Sequence, residues 1–156
     1  NDNKNMFSTE ASLKYFIVQT MASLMILFII LISLSMNEFL TNLSLPSKLV
    51  LNSAFLTKMG TAPFHFWFPE IMEGLNWMNA MILLTWQKIA PMILIMYNFN
   101  NNLYFSIIII ISMFISGVSN WNQTSMKKIL AFSSINHMGW MLSIMMFNQS
   151  LWIFYF

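Results

Sequence analysis

Apolar residues run along this chain in long blocks separated by short polar stretches, and the blocks have membrane-crossing lengths. Residues 1–7 are polar and are expected to form a loop. Ser8, Thr9 and Glu10 then offer helix-start chemistry, hydroxyls to accept from the first amides and a carboxylate in the first turn. Residues 15–36 are apolar apart from Gln19, Thr20 and a few serines. As a helix they would reach about 33 Å, enough for a hydrocarbon layer of about 30 Å. The same pattern predicts spans over residues 10–36, 46–70, 78–97, 103–118 and 126–147, with a further span starting at 151–156. The fourth is short, so it crosses with little tilt or extends into the asparagine turn before it. Polar loops are expected at 37–47, 98–102 and 120–125. The fold class is therefore all-α: one polytopic transmembrane helix bundle, without internal repeat or linker.

The second span carries residues that a plain membrane helix has no use for: Thr57-Lys-Met-Gly-Thr-Ala-Pro-Phe-His-Phe-Trp-Phe-Pro-Glu70. Pro63 cannot donate to the carbonyl four residues back and its ring clashes there, so the helix should break near Met59 and Gly60. At membrane depth, broken backbone is tolerated only where it is buried in protein or lines a wet cavity. Lys58 falls where the break leaves carbonyls unpaired, beside the negative end of a half-helix. In the third span, Trp86-Gln-Lys-Ile-Ala-Pro91 again sets a lysine, Lys88, just before a proline in mid-span.

A charged lysine at the centre of a span costs about 2.5–3.5 kcal/mol and needs an internal partner or water. Burial in general favours a neutral amine, whereas an acid or a helix C-terminus favours the ammonium, so small local changes tip the balance. Lys58 and Lys88 are therefore candidate proton carriers. The alternative is two lysines snorkelling to an interface, against which stands their distance from either end of their spans. His137 is expected to face the interior of the fifth span, as a proton relay or as a neutral histidine bonded to a neighbouring helix. His65 is a weaker candidate for the same role. Glu10 and Lys14, four apart, can pair on one helix face at the membrane entrance. Trp67, Trp77, Trp121 and Trp152 lie near span ends and read as an aromatic belt.

Composition supports the membrane reading: 58% of residues are hydrophobic and 8% charged, where a soluble domain carries about a quarter charged. Mean hydropathy is +0.65. With no cysteine, disulfides and thiolate metal sites are excluded, and the two histidines have neither helical pairing nor a third ligand. All seven basic residues are lysines and the net charge is only +2. Without the arginine fork for phosphate, nucleic-acid binding is excluded. Abundant Phe, Ile, Met, Asn and Lys suggest AT-rich coding, and sixteen methionines suit a mitochondrial code. A chain starting at Asn1 and stopping in an apolar run is expected to be an internal fragment of a longer protein. Lys4, Lys14, Lys127 and Lys128 flank one side of the membrane and Lys48 the other, which places residues 1–7, 70–77 and 119–125 on the inner side.

Four blocks carry a family resemblance: Ser8-Thr-Glu-Ala-Ser-Leu-Lys-Tyr-Phe16, Lys58-Met-Gly-Thr-Ala-Pro-Phe-His-Phe-Trp67, Leu84-Thr-Trp-Gln-Lys-Ile-Ala-Pro91 and Asn122-Gln-Thr-Ser-Met-Lys-Lys-Ile-Leu-Ala-Phe-Ser-Ser-Ile-Asn-His-Met-Gly-Trp140. In this order they resemble the antiporter-like subunits in the membrane arm of mitochondrial NADH–ubiquinone oxidoreductase, respiratory complex I. The resemblance implies a partial antiporter-like fold in the mitochondrial inner membrane, with other membrane-arm subunits and lipid as partners. It implies proton translocation coupled to electron transfer from NADH to ubiquinone, with Lys58 and Lys88 on the proton axis. FMN, iron–sulfur clusters and ubiquinone would be handled by other subunits, so this chain would hold no cofactor and no redox site. It also implies a glutamate on a helix before Ser8 and a further lysine on a later helix. Both would lie outside residues 1–156, and Glu10 does not take the first role. The rival readings are a stand-alone cation/proton antiporter and a purely structural membrane scaffold.

Overall fold

The structure, a computed structural model, describes residues 2–35, 44–99 and 102–155. Every regular element among them is a helix: α1 Asp2–Ser35, α2 Leu45–Met59, α3 Trp67–Gly74, α4 Trp77–Leu84, α5 Trp86–Tyr97, α6 Asn102–Trp121, α7 Met126–Phe147 and α8 Gln149–Tyr155. Four stretches are long and apolar enough to cross a membrane: Met6–Ser35, Trp77–Tyr97, Leu103–Trp121 and Met126–Phe147. Of the loops expected at 37–47 and 98–102, residues 36–43, 100 and 101 lie outside the described residues.

Helix α1 begins at Asp2, so residues 2–7 are helical rather than the expected loop. Ala11 is buried, and Phe7 and Ala11 lie against the C-terminal end of α3. Further along, α1 shows Phe16, Met21, Leu24, Phe28 and Leu31 on its outer side, as a lipid-facing helix does.

Helix α2 is only 15 residues long, about 22 Å at helical rise, and α3 resumes after a non-helical stretch. The third expected span is also interrupted, at Thr85 (φ −109°, ψ −74°) between α4 and α5. The Thr85 hydroxyl donates to the Met81 carbonyl at 2.9 Å, back-bonding of the kind that bends helices. Pro91 lies inside α5 and has no N–H for the Gln87 carbonyl. Helix α6 continues to Trp121, so residues 120 and 121 belong to it rather than to the following loop.

One buried cluster joins Phe55 and Leu56 of α2 to Met92 and Ile95 of α5, Phe105 of α6 and Met141 of α7. A second joins Phe68, Ile71 and Met72 of α3 to Ala11 of α1, Leu83 of α4 and Ile135 of α7. Helices α6 and α7 approach closely at Gly139, where an added Cβ would lie 2.6 Å from Ser112 Oγ. Small residues allow such approach where lipid gives no hydrophobic drive. The belt reading fails for two tryptophans. Trp152 is buried, and Trp67 is half-buried with its ring 6.2 Å from that of Tyr15, because both pack inside the bundle.

Candidate functional site: the helix break and its two lysines

The break is built by Gly60, which takes φ +72° directly after Met59. Its N–H donates to the Thr57 carbonyl at 3.2 Å, and the Thr61 N–H donates to the Leu56 carbonyl at 3.2 Å. These two bonds form the Schellman closure of a helix end. They close the Leu56 and Thr57 carbonyls, and the Lys58 carbonyl accepts from Gln19 Nε2 of α1 at 3.2 Å. The chain then turns through Thr61, whose carbonyl accepts from the Phe64 N–H at 2.8 Å. The Ala62–Pro63 peptide is cis.

Gly60 also makes room. A Cβ there would stand 3.1 Å from Trp67 Cζ2 and 3.2 Å from Phe68 Cβ. The half-helix α3 is thereby folded back onto the end of α2.

Lys58 is half-buried and lines a groove of about 760 Å³ between α1, α2 and α5, together with Gln19, Phe55, Gln87, Ala90 and Pro91. Gln87 is held from α1 by the Tyr15 hydroxyl, which donates to its side-chain oxygen. The two expected lysine segments therefore face each other: Lys58 opens on the groove whose far wall carries the residues flanking Lys88.

Lys88 itself is turned inward and is only 5% exposed. Its ammonium lies 5.0 Å from the centroid of the Phe68 ring. Among the described residues no carboxylate is within ion-pair distance of it, since the three ion pairs involve Lys14 and Lys128. Snorkelling is ruled out for Lys88 by this burial. Phe68, Gln19 and Gln87 are the residues around the lysines that sequence reasoning missed, since an aromatic or an amide in an apolar span carries no signal of its own.

His137 does not face the bundle interior as expected. It lies on an exposed side of α7, its ring stacked on that of Tyr155 in α8, centroids 5.3 Å apart. The buried stripe of α7 runs instead through Ala131, Ile135, Met138 and Leu142, which leaves His137 off that face. His65 is buried between α2 and α3, with its ring 4.4 Å from Phe66. No hydrogen bond joins it to either lysine among the described residues.

Lys14, Lys127, Lys128, Glu10, Glu70 and Glu73 gather at one end of the bundle. Lys14 Nζ lies 3.1 Å from Glu10 and 3.1 Å from Glu70, so the expected pair is one half of a three-residue bridge from α1 to α3. Lys128 pairs with Glu73 at 2.8 Å. Lys127 donates to the Leu75 carbonyl at 2.6 Å and the Glu73 carbonyl at 3.3 Å, beside the Trp77 ring. Among the described residues, no three His, Asp or Glu side chains are grouped to hold a metal ion.

A family model described as "NADH:quinone oxidoreductase/Mrp antiporter, TM" matches residues 1–156. The NADH-ubiquinone oxidoreductase chain 2 of Anopheles gambiae is 53% identical over 158 residues, which cover 100% of this chain and 46% of that relative. That of Aedes aegypti is 54% identical over 154 residues, covering 98% and 45%. That of Loxodonta africana is 46% identical over 155 residues, covering 94% and 44%. The chain thus spans about half the length of the curated relatives it matches.

Proposed function

The chain belongs to the NADH:quinone oxidoreductase/Mrp antiporter transmembrane family, and from that premise we propose that it serves proton translocation in the membrane arm of a mitochondrial NADH–ubiquinone oxidoreductase. The observation that carries the reading is Lys88, buried in a membrane span with no acidic partner among the described residues. Groups so costly to bury in a bilayer are kept where charge or protons move.

In this reading Lys58 exchanges its proton through the groove it lines with Gln19 and Gln87, and passes charge towards Lys88. The helix break brings the polar side chains of Lys58 and Gln19 together at mid-membrane, with its backbone carbonyls closed by the bonds described above. His137, stacked on Tyr155, is a candidate relay for this path, and His65 is a candidate for a proton role beside the break. Electron transfer from NADH to ubiquinone, with its flavin and iron–sulfur clusters, belongs to other subunits, so this chain acts in the enzyme without a redox site of its own. Its partners are the other membrane-arm subunits and the lipid of the mitochondrial inner membrane.

The test is Lys88→Met in the complete subunit of an assembled enzyme, with protons moved per NADH oxidised as the readout. Loss of an essential proton-transfer group is expected to lower pumping by about tenfold or more. Normal pumping at normal turnover would overturn the assignment.

A further inference from the structure

The ammonium of Lys88 needs a partner, and the helix break supplies one. Its Nζ lies 5.0 Å from the centroid of the Phe68 ring, inside the range where the negative face of an aromatic ring attracts a cation. That attraction strengthens when both groups are out of water, and Phe68 is 1% and Lys88 5% exposed. Gly60 leaves room for Phe68 here: a Cβ there would lie 3.3 Å from Phe68 Cδ2, tighter than ordinary contact. The Trp67 ring stands edge-on to the Phe68 ring at 5.5 Å and 89°, which fixes its orientation.

The neighbouring elements offer Lys88 little else. On α7, His137 lies on an exposed side of the helix and, neutral or cationic, cannot neutralise an ammonium. Helix α2 presents Lys58 on the adjoining groove. Helix α1 presents Tyr15, bonded to Gln87. On α3 itself Glu70 is engaged by Lys14 and Glu73 by Lys128.

We propose that Phe68 is a positioning residue for Lys88, holding the lysine in its charged form on its ring face and so tying the second half of the broken helix to the charge on that lysine. The inference rests on the reading of Lys88 as a proton carrier. When Lys88 is protonated, α3 is drawn to α5. When it is neutral, that attraction is lost and α3 is held by its apolar packing and its ionic end alone. The break thus makes α3 the element that responds to the proton.

Phe68→Leu and Phe68→Tyr, made in the complete subunit of the assembled enzyme, test this. Leucine removes the ring and tyrosine keeps it. The alkaline limb of the pH profile for protons moved per NADH is expected to fall by about one pH unit in F68L, the size of a desolvated cation–π contact. F68Y should follow the unaltered enzyme. An unshifted F68L profile, or an equal shift in F68Y, overturns the proposal.

A second measurement covers variants that assemble poorly: heat inactivation of F68M, K88M and the double variant. F68M is expected to lower the midpoint more when Lys88 is present than in the K88M background, and equal losses overturn the contact. Normal pumping by K88M would instead remove the proton-carrier reading while leaving the outcome of this cycle to stand.

Discussion

Single residues set the break, and Gly60 sets it twice. Its φ of +72° costs an L-residue with a Cβ roughly 1–2 kcal/mol, and its α-carbon is closely overlaid by Trp67 and Phe68. Gly60→Ala is therefore expected to destabilise the subunit by about 1–3 kcal/mol, seen as a lower yield of assembled enzyme and a lower midpoint of heat inactivation. Gly60→Asn separates the two causes, because asparagine tolerates the left-handed region but still carries a Cβ. If G60N matches the unaltered enzyme, only the backbone conformation matters. If it matches G60A, the close packing does. Gln19 gives a second case: Gln19→Leu leaves the Lys58 carbonyl without its side-chain donor, an expected loss of about 1–3 kcal/mol by the same assay. The position of the break was legible because glycine and proline act through their own backbone chemistry. The partners Gln19 and Phe68 were not, since their roles depend on which helix happens to face them.

At the scale of elements, α3 is the piece that has to be held, being eight residues long and detached from α2. Lys127 reaches across from the first turn of α7 to the Leu75 and Glu73 carbonyls, which carry the negative end of α3. Lys127→Met is expected to cost about 1–2 kcal/mol. Lys128→Met, which removes only a partly exposed pair with Glu73, should cost under about 1 kcal/mol. The check is the midpoint of heat dissociation of the assembled enzyme, with K127M below K128M; the reverse order would show that α3 is held by its side-chain pairs instead. Helix α7 could be read from the sequence at Met126–Phe147, since its apolar run starts after Ser125 and ends at Asn148. The interruption at Thr85 could not, because threonine is common in membrane helices and nothing in the sequence signals its bond to the Met81 carbonyl. The helical start of α1 was hidden for a different reason. Residues 2–5 are polar, and the sequence does not show that Phe7 and Ala11 lie against α3.

For the whole molecule, the lysine count and the structure bear on the same question of sidedness. Lys14, Lys127 and Lys128 meet Glu10, Glu70 and Glu73 at one end, so the start of α1, the end of α3 and the start of α7 share one membrane face. The excess of lysine there predicts that this face is the inner side, which in the proposed mitochondrial setting is the matrix. The two mid-span lysines lie between this end and the opposite one, as a path across the bilayer requires. Because the chain has no cysteine, one introduced thiol reports without background from this chain. Asn122, exposed in the turn between α6 and α7, is the position to use. In Asn122→Cys enzyme, a membrane-impermeant maleimide is expected to label this chain only after the inner membrane is opened. Labelling in intact mitoplasts would place the ionic end outside and reverse the direction in which Lys58 and Lys88 are traversed. That direction matters to the coupling between α3 and Lys88, because Phe68 lies on the half of the broken helix nearer the ionic end, and a proton arriving from that side would meet α3 before α2.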